Sequence, residues 1–299
     1  MNIVFIITQT LFLLLQFPIA NCLLQQNAAA KLRFQYLSYK KELKVRQIKP
    51  EENELLASIC GKASFHGLLS YPWAISVALN GINKLGGVII SPYHILTAAH
   101  PFVDFQGSSS IPCRTKAYRN ISELLGHRIL FGGKCIRGFT AHKTNHRKCM
   151  EADVLDNEIR TIVVDNDFII GNCTKGHDWA IIEVEKPFVF TDTVQPICLP
   201  SRNESLQNVL MIVGWGRINP FSDGSPLIHE TPMQLDGDSG CGMQQMSDNG
   251  RATVVGVTSY GLKGCPPNEL ARFTRIDCYL SEICEITGVC YTLKDALII

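Results

Sequence analysis

The sequence predicts an all-β chain, built as a sandwich or as barrels, and two observations predict it. Short runs rich in β-branched and aromatic residues recur between turn signals along most of the chain. The length of 299 residues exceeds one small domain but suits a two-barrel β protein.

Taken in order, Ile3 to Ala20 is an apolar start interrupted by Gln9, Gln16 and Pro18, and Ala20 and Cys22 offer small residues for cleavage. Residues 1–22 therefore read as a secretory signal peptide rather than a membrane anchor. Twelve cysteines behind such a start imply an oxidising compartment, and removal of Cys22 leaves an odd number. Residues 23–62 carry Lys31, Arg33, Lys40, Lys41, Lys44, Arg46 and Lys49 ahead of Glu51, Glu52 and Glu54. They read as a solvated leader with some helix, or more sharply as a propeptide.

The expected strands then follow: Trp73 to Leu79, Gly87 to Ile90, Arg128 to Phe131, Ile159 to Val164, Asp178 to Val184, Val209 to Val213, Thr253 to Ser259 and Arg272 to Ile276. Pro226 to Leu235 offers one further strand, and Cys278 to Ile286 reads as a terminal helix. No later stretch is long and apolar enough to span a bilayer, so no membrane association is expected once the signal is gone.

Twenty-eight basic residues against 27 acidic ones give a net charge of +1, which sets up no field for nucleic acid. Cys135, His142, His146 and Cys149 form a possible zinc set, but oxidised cysteines explain the same pattern in a secreted chain. The acidic run Glu151, Asp153, Asp156 and Glu158 reads as a solvated face before it reads as a calcium loop. No metal or other cofactor is expected. Asn120-Ile121-Ser122, Asn172-Cys173-Thr174 and Asn203-Glu204-Ser205 are glycosylation sequons.

Three stretches carry chemistry. In Gly237-Asp238-Ser239-Gly240 a serine between glycines can sit on a tight turn, where its backbone N–H and that of Gly237 point into one spot suited to a developing oxyanion. Read alone, the same four residues also make a polar surface turn. Leu96-Thr97-Ala98-Ala99-His100 supplies a candidate base, and Asp178-Trp179-Ala180-Ile181-Ile182 supplies a carboxylate at the head of an apolar strand. The order His, Asp, Ser is one of three unrelated orders in which such triads occur.

With Pro72-Trp73, Pro196-Ile197-Cys198-Leu199-Pro200, Gly214-Trp215-Gly216, Ser259-Tyr260-Gly261 and Phe273-Thr274-Arg275-Ile276, these stretches make the chain resemble the chymotrypsin/trypsin family of secreted serine proteases from about Cys60 to Cys290. The resemblance implies two packed antiparallel β-barrels with a C-terminal helix, a protease domain over 63–299, and peptide or protein substrates. It implies a zymogen that meets an activating protease and an inhibitor. By the same resemblance Ser239 is the nucleophile, His100 the base, Asp178 the orienting acid, and the N–H groups of Gly237 and Ser239 the oxyanion hole. Ser259 is expected to bond to Asp178, and Tyr260 and Gly261 to offer a strand edge to the substrate. Met233 falls at the pocket floor with Gly261 and Ala271 on its walls, so an apolar side chain is expected before the scissile bond. Cys60 is expected to pair with Cys198, activation to follow a cut near Lys62, and the freed amino group to meet Asp238.

The chain also departs from the family. Pro101 and Leu85 stand where a disulfide would tie the histidine loop. Only 22 residues separate Gly216 from Ser239, which shortens the second barrel. Leu235 replaces a cysteine whose family partner is Cys265, and Cys241 is an alternative partner for Cys265. These departures keep a second expectation in view, a non-catalytic homologue that serves as a secreted binding scaffold.

Overall fold

A computed structural model describes residues 33–38, 44–62, 71–104, 117–124, 126–138, 149, 151–202, 204–217, 224–233, 241–260 and 272–293. Among the described residues seven strands form the first sheet: β1 (Phe34–Ser38), β2 (Ala74–Leu79), β3 (Ile82–Ile89), β4 (His94–Thr97), β5 (Arg128–Phe131), β6 (Leu155–Asp165) and β7 (Ala180–Val184). They pair in the order β1-β6-β5-β2-β3-β4-β7, and an added pairing of β6 with β7 closes six of them into a barrel. Closure removes the exposed strand edges, and only β1 lies outside the ring, hydrogen-bonded to β6. The apolar residues of β4 and β7 are completely buried on both faces of the sheet, Ile95, Leu96, Ile181 and Ile182 among them.

The second sheet has five strands among the described residues, β8 (Leu210–Gly214), β9 (His229–Met233), β10 (Gly242–Met246), β11 (Ala252–Tyr260) and β12 (Arg272–Arg275). Their order is β12-β11-β10-β8-β9, antiparallel throughout. The all-β, chymotrypsin-like architecture expected from the sequence is what forms. Trp73 donates from Nε1 to Gln244 Oε1 at 2.6 Å and so ties the start of β2 to β10 in the other sheet.

Three strands were not legible in the sequence. β10, with sequence Gly-Met-Gln-Gln-Met, lacks β-branched residues and forms because β8 and β11 satisfy its backbone on both sides. β4 is only four residues long, and its register against β3 and β7 specifies it. The third, β1, belongs to the leader and corrects the solvated reading of that segment. Phe34 and Leu37 are buried on the barrel, as are Val45, Ile48 and Leu56 farther on.

Helix α1 (Pro50–Ile59) follows, begun by Pro50 at its first position and by the Lys49 N–H donating to Glu52 Oε2 at 2.7 Å. Arg46 of the leader packs on the Tyr93 ring, and its guanidinium approaches Glu183, a fully buried carboxylate that Arg160 also contacts. After the short helices α2 (Ile121–Leu124) and α3 (Asn166–Ile170) comes α4 (Leu280–Thr287), and the Ile48 N–H donates to Thr287 O at its end, at 3.0 Å. Gly288 ends α4 in the left-handed region, φ 77°, and a β-carbon there would meet the Ile48 carbonyl at 2.8 Å. The expected terminal helix thus forms two residues late, behind a short 3-10 turn over Asp277–Tyr279.

Cys60 is bonded to Cys198, as the resemblance implied, and Cys135 to Cys149, which removes both sulfurs from the possible zinc set. Cys284 is bonded to Cys290, and Cys173 and Cys278 are also in disulfides. In the acidic run, Asp153 accepts from the backbone N–H groups of Lys134 and Cys135, and Asp156 and Glu158 pair with Arg128. Cys241 is buried, and Cys265, its alternative partner, lies outside the described residues. Among the described residues no helix is long and apolar enough to cross a membrane.

Candidate active site

The register of the first barrel brings two distant residues together. Thr97 at the end of β4 pairs with Ala180 at the start of β7. Because the strands are antiparallel, His100, three residues past β4, and Asp178, two residues before β7, emerge at the same end of the barrel. His100 opens a short 3-10 turn over residues 100–102. The loop lacks a disulfide at Pro101 and Leu85, and Thr97 Oγ1 instead donates to the Gly86 carbonyl at 2.6 Å.

His100 Nδ1 lies 2.9 Å from Asp178 Oδ2. A carboxylate can only accept, so Nδ1 carries the proton and the imidazole is held in one tautomer. The other carboxylate oxygen, Oδ1, accepts from the backbone N–H groups of Ala99 and His100, both at 2.8 Å. Ser259 at the end of β11 donates from Oγ to Asp178 Oδ2, and Thr274 of β12 donates to the Asp178 backbone carbonyl at 3.1 Å. Both sheets therefore grip one residue. Asp178 is fully enclosed, whereas the His100 side chain is 16% exposed. Burial works to raise the Asp178 carboxyl, but the charge and hydrogen bonds of His100 and the Ser259 bond together hold it below its ordinary value.

A second set of groups, which the motif reading did not single out, surrounds this corner. His177, with φ 64°, sits in the left-handed region directly before Asp178. Its Nδ1 donates to Asp165 Oδ2 at 2.8 Å, and Trp179 donates from Nε1 to the same oxygen at 3.0 Å. Asp165 ends β6 and is fully buried, and the only trace of it in the sequence was a carboxylate at the end of an apolar run.

Among the other expected site residues, Met233 ends β9 opposite Leu210, and Tyr260 ends β11 opposite Arg272. Asn120 is exposed, with its side-chain oxygen accepting from the Ser122 N–H at 3.0 Å, and Asn172 has φ 55° in the turn after helix α3 (Asn166–Ile170). Gly237, Asp238, Ser239, Gly261, Ala271 and Asn203 lie outside the described residues, as do Leu235 and Cys265.

Comparison with known proteins bears on the same region. The model of the Trypsin family matches residues 59–236, more than half of the chain, and ends just short of Gly237. Over 257 residues the chain is 24% identical to the suppressor of tumorigenicity 14 protein homolog of Bos taurus, an alignment that covers 73% of this chain and 27% of that protein. It is 22% identical over 257 residues to the proclotting enzyme of Tachypleus tridentatus, covering 72% of this chain and 63% of that one. The chain thus spans less than two thirds of either relative.

Proposed function

Because this chain belongs to the trypsin family, we propose that it is a serine endopeptidase that cleaves peptide bonds through an acyl-enzyme. The observation that carries this reading is the hydrogen-bonded line from Ser259 through Asp178 to His100. Such a line serves a base that must take up a proton and be stabilised as an imidazolium.

In the proposed cycle His100 Nε2 takes the proton of the Ser239 hydroxyl as its oxygen attacks the substrate carbonyl. The N–H groups of Gly237 and Ser239 receive the oxyanion. His100 then hands its proton to the leaving amine; in the second half the same imidazole deprotonates a water that attacks the acyl carbon and returns that proton to Ser239 Oγ as the acid product leaves. Asp178 keeps its charge throughout and balances the imidazolium. Tyr260 and Gly261 pair with the substrate backbone as an added strand, and Met233, Gly261 and Ala271 favour an apolar side chain before the scissile bond. The disulfides are compatible with a secreted enzyme glycosylated at Asn120, Asn172 and Asn203. In the zymogen reading, a cut near Lys62 frees an amino group for Asp238.

A second reading, a non-catalytic binding scaffold, is favoured by one observation, the 22 residues between Gly216 and Ser239. A fluorophosphonate probe separates the two. After treatment with trypsin, labelling of the parent but not of Ser239→Ala is expected. Equal labelling of both, or of neither, favours the scaffold.

A further inference from the structure

The groups around Asp178 extend beyond the His100 contact. Asp165 Oδ2 receives two donors, His177 Nδ1 at 2.8 Å and Trp179 Nε1 at 3.0 Å, from the residues on either side of Asp178. Its other oxygen accepts from the Asp167 N–H at 3.0 Å and caps α3, so the carboxylate is anchored before it grips the corner. The Asp165 backbone is paired to Phe34 of β1, whose ring meets the Trp179 indole edge-on at 6.1 Å between centroids. Tyr279 closes the other side. Its hydroxyl accepts from the His177 N–H at 3.1 Å, and its ring lies 5.3 Å from the His177 ring and 5.4 Å from that of Trp179.

Two alternatives account for this cluster less well. Asp165, Asp167 and His177 present ligand atoms within 4.8 Å of one another, which would suit a cation. However, Asp165 already accepts three hydrogen bonds across its two oxygens, so the group is filled by protein donors. As a plain core network it would have no need to hold a histidine in the left-handed region, where a β-carbon is strained. That φ turns the chain sharply between the end of α3 and β7, and the turn decides where the next residue aims.

We propose that Asp165 is the positioning residue of the catalytic acid. By holding His177 and Trp179 on one oxygen, it fixes the backbone between them and with it the direction in which the Asp178 carboxylate meets His100. The inference rests on the proteolytic reading for its consequence in catalysis, but its geometry concerns only the His100–Asp178 pair. Burial works against a charge on His177, yet the bond and charge of Asp165, helped by Asp167 and opposed by Arg33, raise its basicity overall, as expected for an ion-paired clamp.

The test is the NMR signal of the His100 Nδ1 proton, whose position reports the hydrogen bond to Asp178, followed alongside kcat and KM on a peptide ester. Asp165→Asn is expected to move that signal upfield and to lower kcat about ten-fold with KM little changed. His177→Gly removes the donor while relaxing the backbone, so it should fold and move the signal the same way; it decides the matter if Asp165→Asn does not fold. His177→Asn, which keeps an amide donor and tolerates the left-handed region, should restore the parent signal. A His100 signal that is unchanged in folded Asp165→Asn or His177→Gly overturns the proposal. A shifted signal in a protein that no fluorophosphonate labels upholds the positioning role and rejects the proteolytic reading.

Discussion

Gly214 of β8 faces Cys241 so closely that a β-carbon on the glycine would lie 2.6 Å from the cysteine sulfur. Gly86 of β3 crowds the same sulfur from the other barrel, so the side chain fills a gap made for it by two glycines. This packing accounts for the burial of the Cys241 side chain between the two sheets.

The packing gives a double-mutant cycle. Gly214→Ala is expected to destabilise the protein by about 1–3 kcal/mol, the usual cost of overpacking a filled site. In a Cys241→Gly background the same change should cost much less, because among the described residues only Cys241 atoms stand near the added carbon. Denaturant unfolding of the four proteins measures the coupling, and additive costs would show that the sulfur is not what the new methyl meets.

The leader is predicted to be part of the folded body. Arg46 offsets the charge of Glu183, which it shares with Arg160 in a fully buried setting. Arg46→Ala should cost about 2 kcal/mol, below the 3–5 kcal/mol typical of a broken buried pair, since Arg160 remains and the Arg46 side chain is 31% exposed. A denaturation midpoint equal to that of the parent would contradict this.

Acid sensitivity should have an identifiable source in His94. Its Nδ1 is 2.7 Å from Ser91 Oγ, and burial, aided by the Arg46 charge and opposed by the Arg46 backbone, pushes its pKa down to about 3. The unfolded chain takes up this proton near pH 6.5, and the folded one resists it. Stability is therefore whole above pH 6.5 and falls as pH drops from there toward 3. His94→Gln should flatten the decline between about pH 6.5 and 5, measured as thermal midpoint against pH.

Ser259→Ala removes a donor to the Asp178 carboxylate. A hydrogen bond to a charged group is worth about 1.5–3 kcal/mol, so kcat/KM on a peptide ester should fall about ten-fold or more. The depressed Asp178 pKa stabilises the fold at neutral pH, and that gain is lost as pH falls below the ordinary carboxyl value of 3.8. Without Ser259 the pKa should move back up, so the gain at neutral pH is smaller and its loss, which still begins near 3.8, is complete at a higher pH.

Much of this protein was written in local order. Thr97-Ala98-Ala99-His100 and Asp178-Trp179-Ala180 announced two members of a site, and short β-rich runs between turn signals announced most strands, because strand propensity and turn chemistry act over a few residues. The Cys60–Cys198 bond was readable through family resemblance alone. What local order could not hold was decided by the closed barrel. The pairing of Thr97 with Ala180 brings His100 to Asp178, and the pairing of Phe34 with Asp165 places the leader against the same corner. Asp165 illustrates the difference: one carboxylate at a strand end carries no signal in sequence, since its role comes from three donors that reach it only after β6, β7 and α3 have packed.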